Sequence, residues 1–301
     1  MQRTPHLPVT GLLVLLAACH PGNKEARALR ESCDGGSAAA CNQFAARVQK
    51  GQYVLRDVKH AASLYDRACE GGIANGCSSL AVLYLRASGV DRDSARAVAL
   101  LQRGCDGGAM DGCARLGVLH KEGAAVPYDI QRAATLFRQS CDGKEMLGCA
   151  HLGSLLASGE GLAKDPVRAA DLLHRSCLAK VPAGCLGLGL LRMTGSGIER
   201  DEAAGARLFD QACDGGEVAG CFQLARAHEE GRGVPQNFND ASWRYREACN
   251  DRHAEACWRL AGMYDRGAGV YPDKQRATAL RRRACEYGWA DACPAAKPRG
   301  A

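Results

Sequence analysis

The sequence predicts an all-α protein: a right-handed α/α solenoid of antiparallel helix pairs, with 36-residue repeats and one disulfide in each repeat. Three observations lead to this prediction. Cysteine pairs recur at a fixed period, an apolar pattern of helical spacing follows each pair, and aromatic residues make up only 5% of the 301 residues. A fixed period between about 20 and 50 residues is typical of solenoids.

The N-terminus has the composition of an export signal. Arg3 supplies a positive charge, and Val9 to Leu16 form an apolar run that is shorter than the ~20 residues of a bilayer span. Leu16-Ala17-Ala18-Cys19 is similar to the lipobox of bacterial lipoproteins. The resemblance implies a signal peptide over residues 1–18, a diacylglycerol-modified Cys19, and attachment to a membrane through that lipid, with residues 19–24 as a short tether.

The residue after Cys19 bears on the location. His20 stands there rather than an acidic residue, which favours the periplasmic face of the outer membrane within the cell envelope. Cys19 is also the odd member of the 17 cysteines, since the other sixteen form pairs.

Within every pair the second cysteine comes 8 residues after the first, and consecutive pairs are 36 residues apart. The pairs are Cys33/Cys41, Cys69/Cys77, Cys105/Cys113, Cys141/Cys149, Cys177/Cys185, Cys213/Cys221, Cys249/Cys257 and Cys285/Cys293. This register defines the repeat without insertions, and it places the solenoid at residues 25–293 with a C-terminal tail at 294–301.

Each repeat contains two helical patterns, and the second cysteine of a pair is expected to begin the first helix. In one copy, Cys77, Leu80, Ala81 and Tyr84 follow the i, i+3, i+4, i+7 spacing of one helix face. A pair of glycines such as Gly159/Gly161 is expected to end this first helix. An Asp or Asn then precedes the second pattern and can cap its free amides; these residues are Asp93, Asp129, Asp165, Asp201, Asn237 and Asp273.

One position in each helix is almost always Ala or Gly, which predicts closely approaching helix axes. The first-helix residues are Ala45, Ala81, Gly117, Gly153, Gly189, Ala225 and Ala261, and the second-helix residues are Ala61, Ala97, Ala133, Ala169, Gly205, Ala241 and Ala277. Glycine costs about 1 kcal/mol in a helix interior, so its presence indicates a packing requirement.

The segment from Leu152 to Ala169 resembles the Sel-one-like repeat, a relative of the tetratricopeptide repeat. Together with the cysteines, it resembles the cysteine-rich, secreted Hcp-type branch of that family. The resemblance covers about Cys33 to Cys293, preceded by a half-unit helix near Glu25–Ser32. The first copy is degenerate, because Gln49 to Tyr53 replace the double-glycine pattern, and we expect it to act partly as a cap.

A bridge within each cysteine pair would link two helices across a loop such as Asp106–Gly112. The chain-entropy model gives about 2.5 kcal/mol for such a ring. The competing interpretation is metal binding, but zinc usually requires four ligands, and no histidine recurs beside the pairs. We therefore expect disulfides and neither a metal nor a cofactor.

Catalytic patterns are absent from the sequence: it contains no Ser-x-x-Lys, no His-Glu-x-x-His and no Gly-x-Ser-x-Gly. His120 and His228 fall where other repeats have Tyr84 and Tyr264, and this placement favours packing roles. The sequence predicts no catalytic residue. An alternative function, β-lactam binding or weak β-lactam hydrolysis, is implied only by the Hcp-type resemblance.

The first helices are expected to line a concave groove that binds a protein or peptide. The candidate groove residues are Arg115, His151, Gln223, Arg259, Val82, Val118 and Leu190. The formal charge of +6 comes from evenly spread residues without a basic block, so nucleic-acid binding is not expected. The sequence thus predicts an exported, lipid-anchored, monomeric scaffold for protein or peptide partners.

Overall fold

The computed structural model describes residues 21–293, which form fifteen α-helices and one 3-10 turn. The helices are Pro21–Asp34 (α1), Ala38–Lys50 (α2), Val58–Glu70 (α3), Ala74–Arg86 (α4), Ser94–Asp106 (α5), Met110–Glu122 (α6), Ile130–Asp142 (α7), Met146–Ser158 (α8), Pro166–Leu178 (α9), Pro182–Thr194 (α10), Glu202–Asp214 (α11), Val218–Glu230 (α12), Phe238–Asn250 (α13), Ala254–Arg266 (α14) and Lys274–Glu286 (α15), and the 3-10 turn is Ala290–Ala292. The predicted all-α repeat fold is confirmed. The predicted signal peptide, Cys19 and the tail lie outside the described residues.

The chain divides after Leu136 into two compact units, and helix α7 lies across the division. Even-numbered helices from α2 to α14 are the first helices of their repeats, and odd-numbered helices from α3 to α15 are the second helices. Within each unit, first helices pack on the second helix that follows them, for example α4 on α5 in the first unit and α10 on α11 in the second. Among the described residues, no helix is long and apolar enough to cross a membrane.

Every cysteine pair forms a disulfide across the turn that follows a helix. The bonds are Cys33–Cys41, Cys69–Cys77, Cys105–Cys113, Cys141–Cys149, Cys177–Cys185, Cys213–Cys221, Cys249–Cys257 and Cys285–Cys293. The paired Cα atoms are 4.5 to 4.8 Å apart. The predicted single disulfide per repeat is thus present, and eight disulfides indicate an oxidising, non-cytoplasmic compartment.

The prediction that the second cysteine begins its helix is wrong. Each first helix starts three residues earlier, so that the second cysteine is its fourth residue; these cysteines are Cys41, Cys77, Cys113, Cys149, Cys185, Cys221 and Cys257. In the last pair, Cys293 follows the 3-10 turn and begins no helix. The connecting loop is correspondingly shorter than expected, because α5 continues through Asp106 and α6 already begins at Met110.

The backbone hydrogen bonds give the reason for this correction. The Cys41 amide donates to the Ser37 carbonyl at 3.0 Å, and Ser37 is the N-cap of α2. The amides of Cys149, Cys185 and Cys257 bond in the same way to the residue four positions before them, at 3.2 to 3.3 Å. The second cysteine is therefore the first residue with an i to i−4 bond. The apolar pattern begins there, whereas the helix has already begun one turn before.

The sulfurs at these positions are enclosed by the turn. Cys41, Cys149, Cys185 and Cys257 are at most 4% exposed, and each Sγ lies 3.6 to 3.7 Å from the carbonyl oxygen of its own bonded cysteine. A disulfide sulfur has no proton to donate, so this is a packing contact between the bridge and the end of the preceding helix. At these four positions the sulfur of the second cysteine is buried, and the bridge is a structural link rather than a free thiol.

Small residues beside the cysteines allow this close approach. A methyl group added to Gly76 would lie 2.8 Å from the Ala68 Cβ, and one added to Gly220 would lie 2.7 Å from the Ala212 Cβ. The turn closed by Cys105–Cys113 has a glycine beside each cysteine, at Gly104 and Gly112, and the Ser78 hydroxyl group lies against both of them. A glycine at this position therefore sets how closely consecutive helices cross.

The second helices begin at the predicted capping residues. Asp93 Oδ1 accepts a hydrogen bond from the Arg96 amide at 2.8 Å, and Asp201 Oδ1 accepts one from the Ala204 amide at 2.8 Å. The same bond recurs at the predicted caps Asp129, Asp165, Asn237 and Asp273, and also at Asp57, which was not predicted. Each cap satisfies an amide that the helix itself leaves without a partner, which fixes where the second helix starts.

The first helices end in two left-handed residues that are separated by one position. Gly231 and Gly233 have φ of 70° and 72°. A methyl group on Gly231 would come closest to the Gln236 Cβ, at 3.3 Å, whereas one on Gly233 would fall on the Glu202 carbonyl oxygen. The second position packs directly on the backbone at the start of the previous second helix, so glycine is required there for space as well as for conformation.

In the first repeat the loop also packs on the start of the preceding helix, but here the large residue is in the loop and the glycine is on the helix. Tyr53, with φ of 61°, stands where Gly233 stands in its repeat. Its ring lies against Gly22 in the first turn of α1, where an added methyl group would be 2.5 Å from the ring. Helix α1 correspondingly begins at Pro21 and not near Glu25, so residues 21–24, expected in the tether, are helical. Proline is well suited to a first helical turn.

We expect Gly231→Ala and Gly233→Ala to differ in their effect on the free energy of unfolding. Gly231→Ala should cost about 1 kcal/mol, the strain of a left-handed alanine, and Gly233→Ala about 2–4 kcal/mol, because overpacking is added. Urea unfolding measures both variants. Equal costs would contradict the close backbone approach at Gly233.

The cap of α14 depends on the protonation state of a histidine. His253 Nδ1 accepts a hydrogen bond from the Ala256 amide at 3.2 Å, and its ring stacks on Phe222 with centroids 4.3 Å apart. Burial lowers the pKa of His253 below its usual value, although the nearby Glu255 opposes this change. The unfolded chain therefore binds a proton more readily than the folded chain does, so this stabilisation is present above about pH 6.5 and is lost as the pH falls.

His253→Asn keeps a capping oxygen that does not titrate. We expect the wild-type chain to lose more stability than this variant between about pH 7.5 and about pH 5, because only the wild type gains a proton at residue 253 when it unfolds at the lower pH. Melting temperatures at both pH values test this difference. A variant whose melting temperature falls as much as that of the wild type would show that His253 is not the responsible group.

Candidate partner-binding surface

In the first unit, the three candidate groove residues lie on α4 and α6. Val82, Arg115 and Val118 are all half-buried. Arg115 Nε forms an ion pair with Asp111 Oδ2 on the same helix, at 3.4 Å. Since α4 and α6 are in contact, these side chains lie along the junction between neighbouring first helices and present only part of their surface to solvent.

In the second unit, His151 and Leu190 differ in exposure. His151 is half-buried, and its ring stacks on Phe137 with centroids 4.8 Å apart and an interplanar angle of 25°. Leu190 on α10 is 41% exposed, whereas the other six candidates are half-buried. Gly187, one turn earlier, is buried, and an added methyl group would be 2.5 Å from Leu173 Cδ2.

Gln223 and Arg259 lie on α12 and α14, and both are half-buried. Arg259 forms ion pairs with Glu255 at 2.9 Å and with Glu229 at 3.6 Å. Its guanidinium lies 5.8 Å from the centre of the Phe222 ring. Arg259 therefore connects two first helices, and its charge is already balanced within the protein.

Glu229 is the centre of this charged network. It accepts a hydrogen bond from the Tyr245 hydroxyl at 2.7 Å and also lies 3.5 Å from Arg266. Burial raises the pKa of Tyr245, and the hydrogen bond to Glu229 raises it further. The hydroxyl thus remains protonated and donates to Glu229.

A cleft of about 480 Å³ adjoins this network at the end of the second unit. It is lined by Glu229, Glu255, Trp258, Arg259, Gly262, Asp265, Arg266, Arg281 and Trp289. The buried indole N–H of Trp289 has no hydrogen-bond acceptor among the described residues. The Arg281 guanidinium lies over the Trp258 ring at 5.6 Å and forms an ion pair with Asp265.

Sequence reasoning did not identify this cleft. Its signal was available in the repeat register, because Gly262 occupies the position of Val82, Val118 and Leu190. A glycine there removes a side chain from the surface of α14 and leaves Trp258 accessible from the cleft. The cleft is thus a candidate binding site that the seven groove residues predicted from the sequence did not reveal, although Arg259 is one of its lining residues.

No cluster of metal-binding side chains is available in the part of the chain that the structure describes. The one group close enough consists of Cys213, Cys221 and Glu247, and both of its sulfurs belong to a disulfide. His120 and His228 are half-buried and lie on different helices, and the Nδ1 atom of each is buried without a hydrogen-bond partner. The packing roles expected for both histidines stay a prediction.

Comparison with solved structures shows the fold shared with other proteins. The chain is similar to a Sel1 repeat protein from Oxalobacter formigenes, with 23% identity and a TM-score of 0.57 over 89% of this chain and 77% of that one. It is also similar to c5321, a protective antigen of uropathogenic Escherichia coli with an SLR fold, with 24% identity and a TM-score of 0.55. That alignment covers 89% of this chain but only 57% of c5321.

A third similar structure is the immunity protein PA5088 from Pseudomonas aeruginosa, with 20% identity and a TM-score of 0.50 over 72% of this chain and 82% of that one. No curated protein matches the sequence. The Sel1 repeat model matches seven consecutive segments: residues 38–73, 74–108, 111–144, 147–180, 182–217, 218–249 and 254–288. With most of its length in these repeats, the chain belongs to the Sel1 repeat family.

Proposed function

We propose that this protein is an exported, lipid-anchored scaffold that binds a protein or peptide through the surface of its first helices. Sel1 repeat proteins are scaffolds that typically mediate protein–protein interactions, and the family assignment supports that general role. The observation that carries the specific proposal is the cleft lined by Trp258 and Trp289, because the indole N–H of Trp289 is buried without a hydrogen-bond acceptor among the described residues.

The chemistry of the cleft favours a peptide ligand. The Trp289 N–H can donate to a peptide carbonyl, and the Trp258 ring offers a surface for an apolar or aromatic side chain. The charges nearby balance within the protein, since Arg259 pairs with Glu255 and Arg281 pairs with Asp265. Such a surface selects by shape and hydrogen bonding more than by net charge.

Export and membrane attachment belong to the same proposal. The eight disulfides require an oxidising compartment, and the lipobox-like residues 16–19 would supply the lipid on Cys19. A diacylglycerol anchor holds a protein more stably than a single acyl chain does. We place the chain as a monomer on the periplasmic face of the outer membrane, bound to its partner through the first helices.

The alternative function, β-lactam hydrolysis, makes a different prediction for the purified chain. It requires turnover of a chromogenic β-lactam that is lost on a defined point mutation, whereas a scaffold has none. We favour the scaffold, because the sequence contains neither Ser-x-x-Lys nor Gly-x-Ser-x-Gly, the motifs that would supply an activated serine.

Gly262→Leu tests the cleft directly, because it restores the side-chain type that other repeats carry at this position. Its Cβ has space, with only the Arg266 side chain within 4 Å, at 3.2 Å. Partners are first identified by proximity cross-linking in the producing cell, and affinities are then measured with purified proteins. We expect about a tenfold or greater loss of affinity, as for removal of a central contact, with no loss of thermal stability.

Val167→Leu is the matched control, since Val167 is 68% exposed on the second helix α9. It should leave the affinity unchanged. A partner that binds directly and equally well to the Gly262→Leu variant would contradict the proposed cleft. A failure to find any direct protein or peptide partner would contradict the scaffold function itself.

A further inference from the structure

Two exposed apolar side chains lie in the loop after α2, beside the start of α1. Tyr53 is 43% exposed, and Leu55 is 92% exposed. The Tyr53 ring contacts Gly22, so the loop is held against the first turn of α1. Residues of this loop and of α1 also line a shared cleft that includes Arg27, Tyr53 and Leu55.

This loop differs from its counterparts in the later repeats. The position of Tyr53 is otherwise glycine or alanine: Gly89, Ala125, Gly161, Gly197, Gly233 and Gly269. In the first repeat the glycine of this contact is on the helix, at Gly22, rather than in the loop. The absence of a side chain at Gly22 makes room for the Tyr53 ring. The first repeat thus bears a tyrosine and a leucine on its outer edge, and the neighbouring repeat has Gly89 and Asp91 at the same positions.

Basic side chains lie near this edge. Lys24, Arg27, Lys50 and Arg56 are all exposed: Lys24 and Arg27 are in the first two turns of α1, Lys50 and Arg56 flank the loop, and Arg27 lines the cleft with Tyr53 and Leu55. The acidic residues nearby are engaged within the protein: Glu25 forms an ion pair with Arg47, Asp34 forms ion pairs with Arg30 and Arg67, and Asp57 caps α3 through the His60 amide. The edge therefore combines an amphipathic aromatic ring, an exposed aliphatic side chain and a local excess of positive charge.

Covalent geometry places the predicted lipid at the same edge. Cys19 is two residues before Pro21, and two residues span at most about 7 Å. A lipid on Cys19 would therefore leave the chain within reach of Gly22 and Tyr53. Tyrosine is favoured at the membrane–water interface, and basic residues are attracted to anionic headgroups.

We propose that the edge formed by Lys24, Tyr53, Leu55 and Arg56 lies on an anionic lipid surface, so that the first repeat is held against the membrane. This inference rests on the proposed lipid at Cys19. A surface contact of this kind would fix the orientation of the first repeat, whereas a lipid on a long flexible tether would leave it free.

The test uses the mature lipidated chain, reconstituted into vesicles of phosphatidylglycerol and brominated phosphatidylcholine. Leu55→Trp places a fluorescent residue at the edge, and Tyr128→Trp places one in a later loop of the same unit, where Tyr128 is 57% exposed. We expect the fluorescence added at position 55 to be quenched by the brominated lipid and shifted to shorter wavelength. The fluorescence added at position 128 should remain unquenched.

Charge is tested with Arg56→Glu in the Leu55→Trp chain, and with Arg92→Glu as the matched control one repeat later. Reversal at Arg56 should reduce the quenching in phosphatidylglycerol vesicles and have little effect in vesicles of phosphatidylcholine alone. Reversal at Arg92 should have little effect in either. Circular dichroism of each variant confirms that the helical fold is retained.

The outcomes separate this inference from the lipid anchor. A lipidated chain, verified by mass spectrometry, with equal or no quenching at positions 55 and 128 would overturn the surface contact and leave the anchor intact. A chain without lipid would overturn the anchor. The same vesicle assay would then be done on that chain. Quenching at position 55 would support the surface contact, and its absence would overturn it. Cross-linking of position 55 to a protein without quenching would also overturn it.

Discussion

The fold depends on the close approach of two helices at each cysteine turn. The paired Cα atoms lie 4.5 to 4.8 Å apart, and a larger residue beside the cysteines, for example at Gly76 or Gly220, would separate the helices. The disulfide and the small neighbours act together, because the bond requires the short distance and the small residues permit it. Every later feature of the repeat, including the cap and the start of the second helix, follows from this register.

The same helix contacts recur in each repeat, but the residue types that form them differ. Gly189 provides space for the Phe209 ring, which would be 2.7 Å from an added methyl group, and Gly205 does the same for Met193. Gly22 and Tyr53 reverse the usual arrangement at the first repeat. Such exchanges keep the contacts between neighbouring helices within a unit while the exposed side chains vary. The same repeat can therefore present a charged network, a cleft with two tryptophans or an apolar edge.

Features that depend on neighbouring residues in the chain could be predicted from the sequence. The helix pairs, the aspartate caps and the disulfide in each repeat are all set within 36 residues. The start of each first helix was nevertheless placed one turn too late, because the apolar pattern begins at cysteines such as Cys41 and Cys149, whereas the helix begins at Ala38 and Met146. The residues of that first turn carry no apolar pattern to mark it.

Features that depend on contacts between repeats could not be predicted. The helical wheel did not show that Arg259 is held by Glu229 on the previous first helix, or that Gly187 lies beneath Leu173. Gly262 alone did not predict the cleft, because the cleft also needs Trp289, which lies at the last turn of the described chain.

Hydrogen exchange in the double variant Cys105→Ser, Cys113→Ser tests the central claim most directly, because this bridge links α5 to α6 inside the first unit. If the bridge clamps the turn, local opening of the amides at the ends of α5 and α6 should become easier by about 2.5 kcal/mol, the entropy of the small ring, with exchange in distant repeats unchanged. Unaltered exchange at those helix ends would contradict the view that each helix pair depends on its own disulfide.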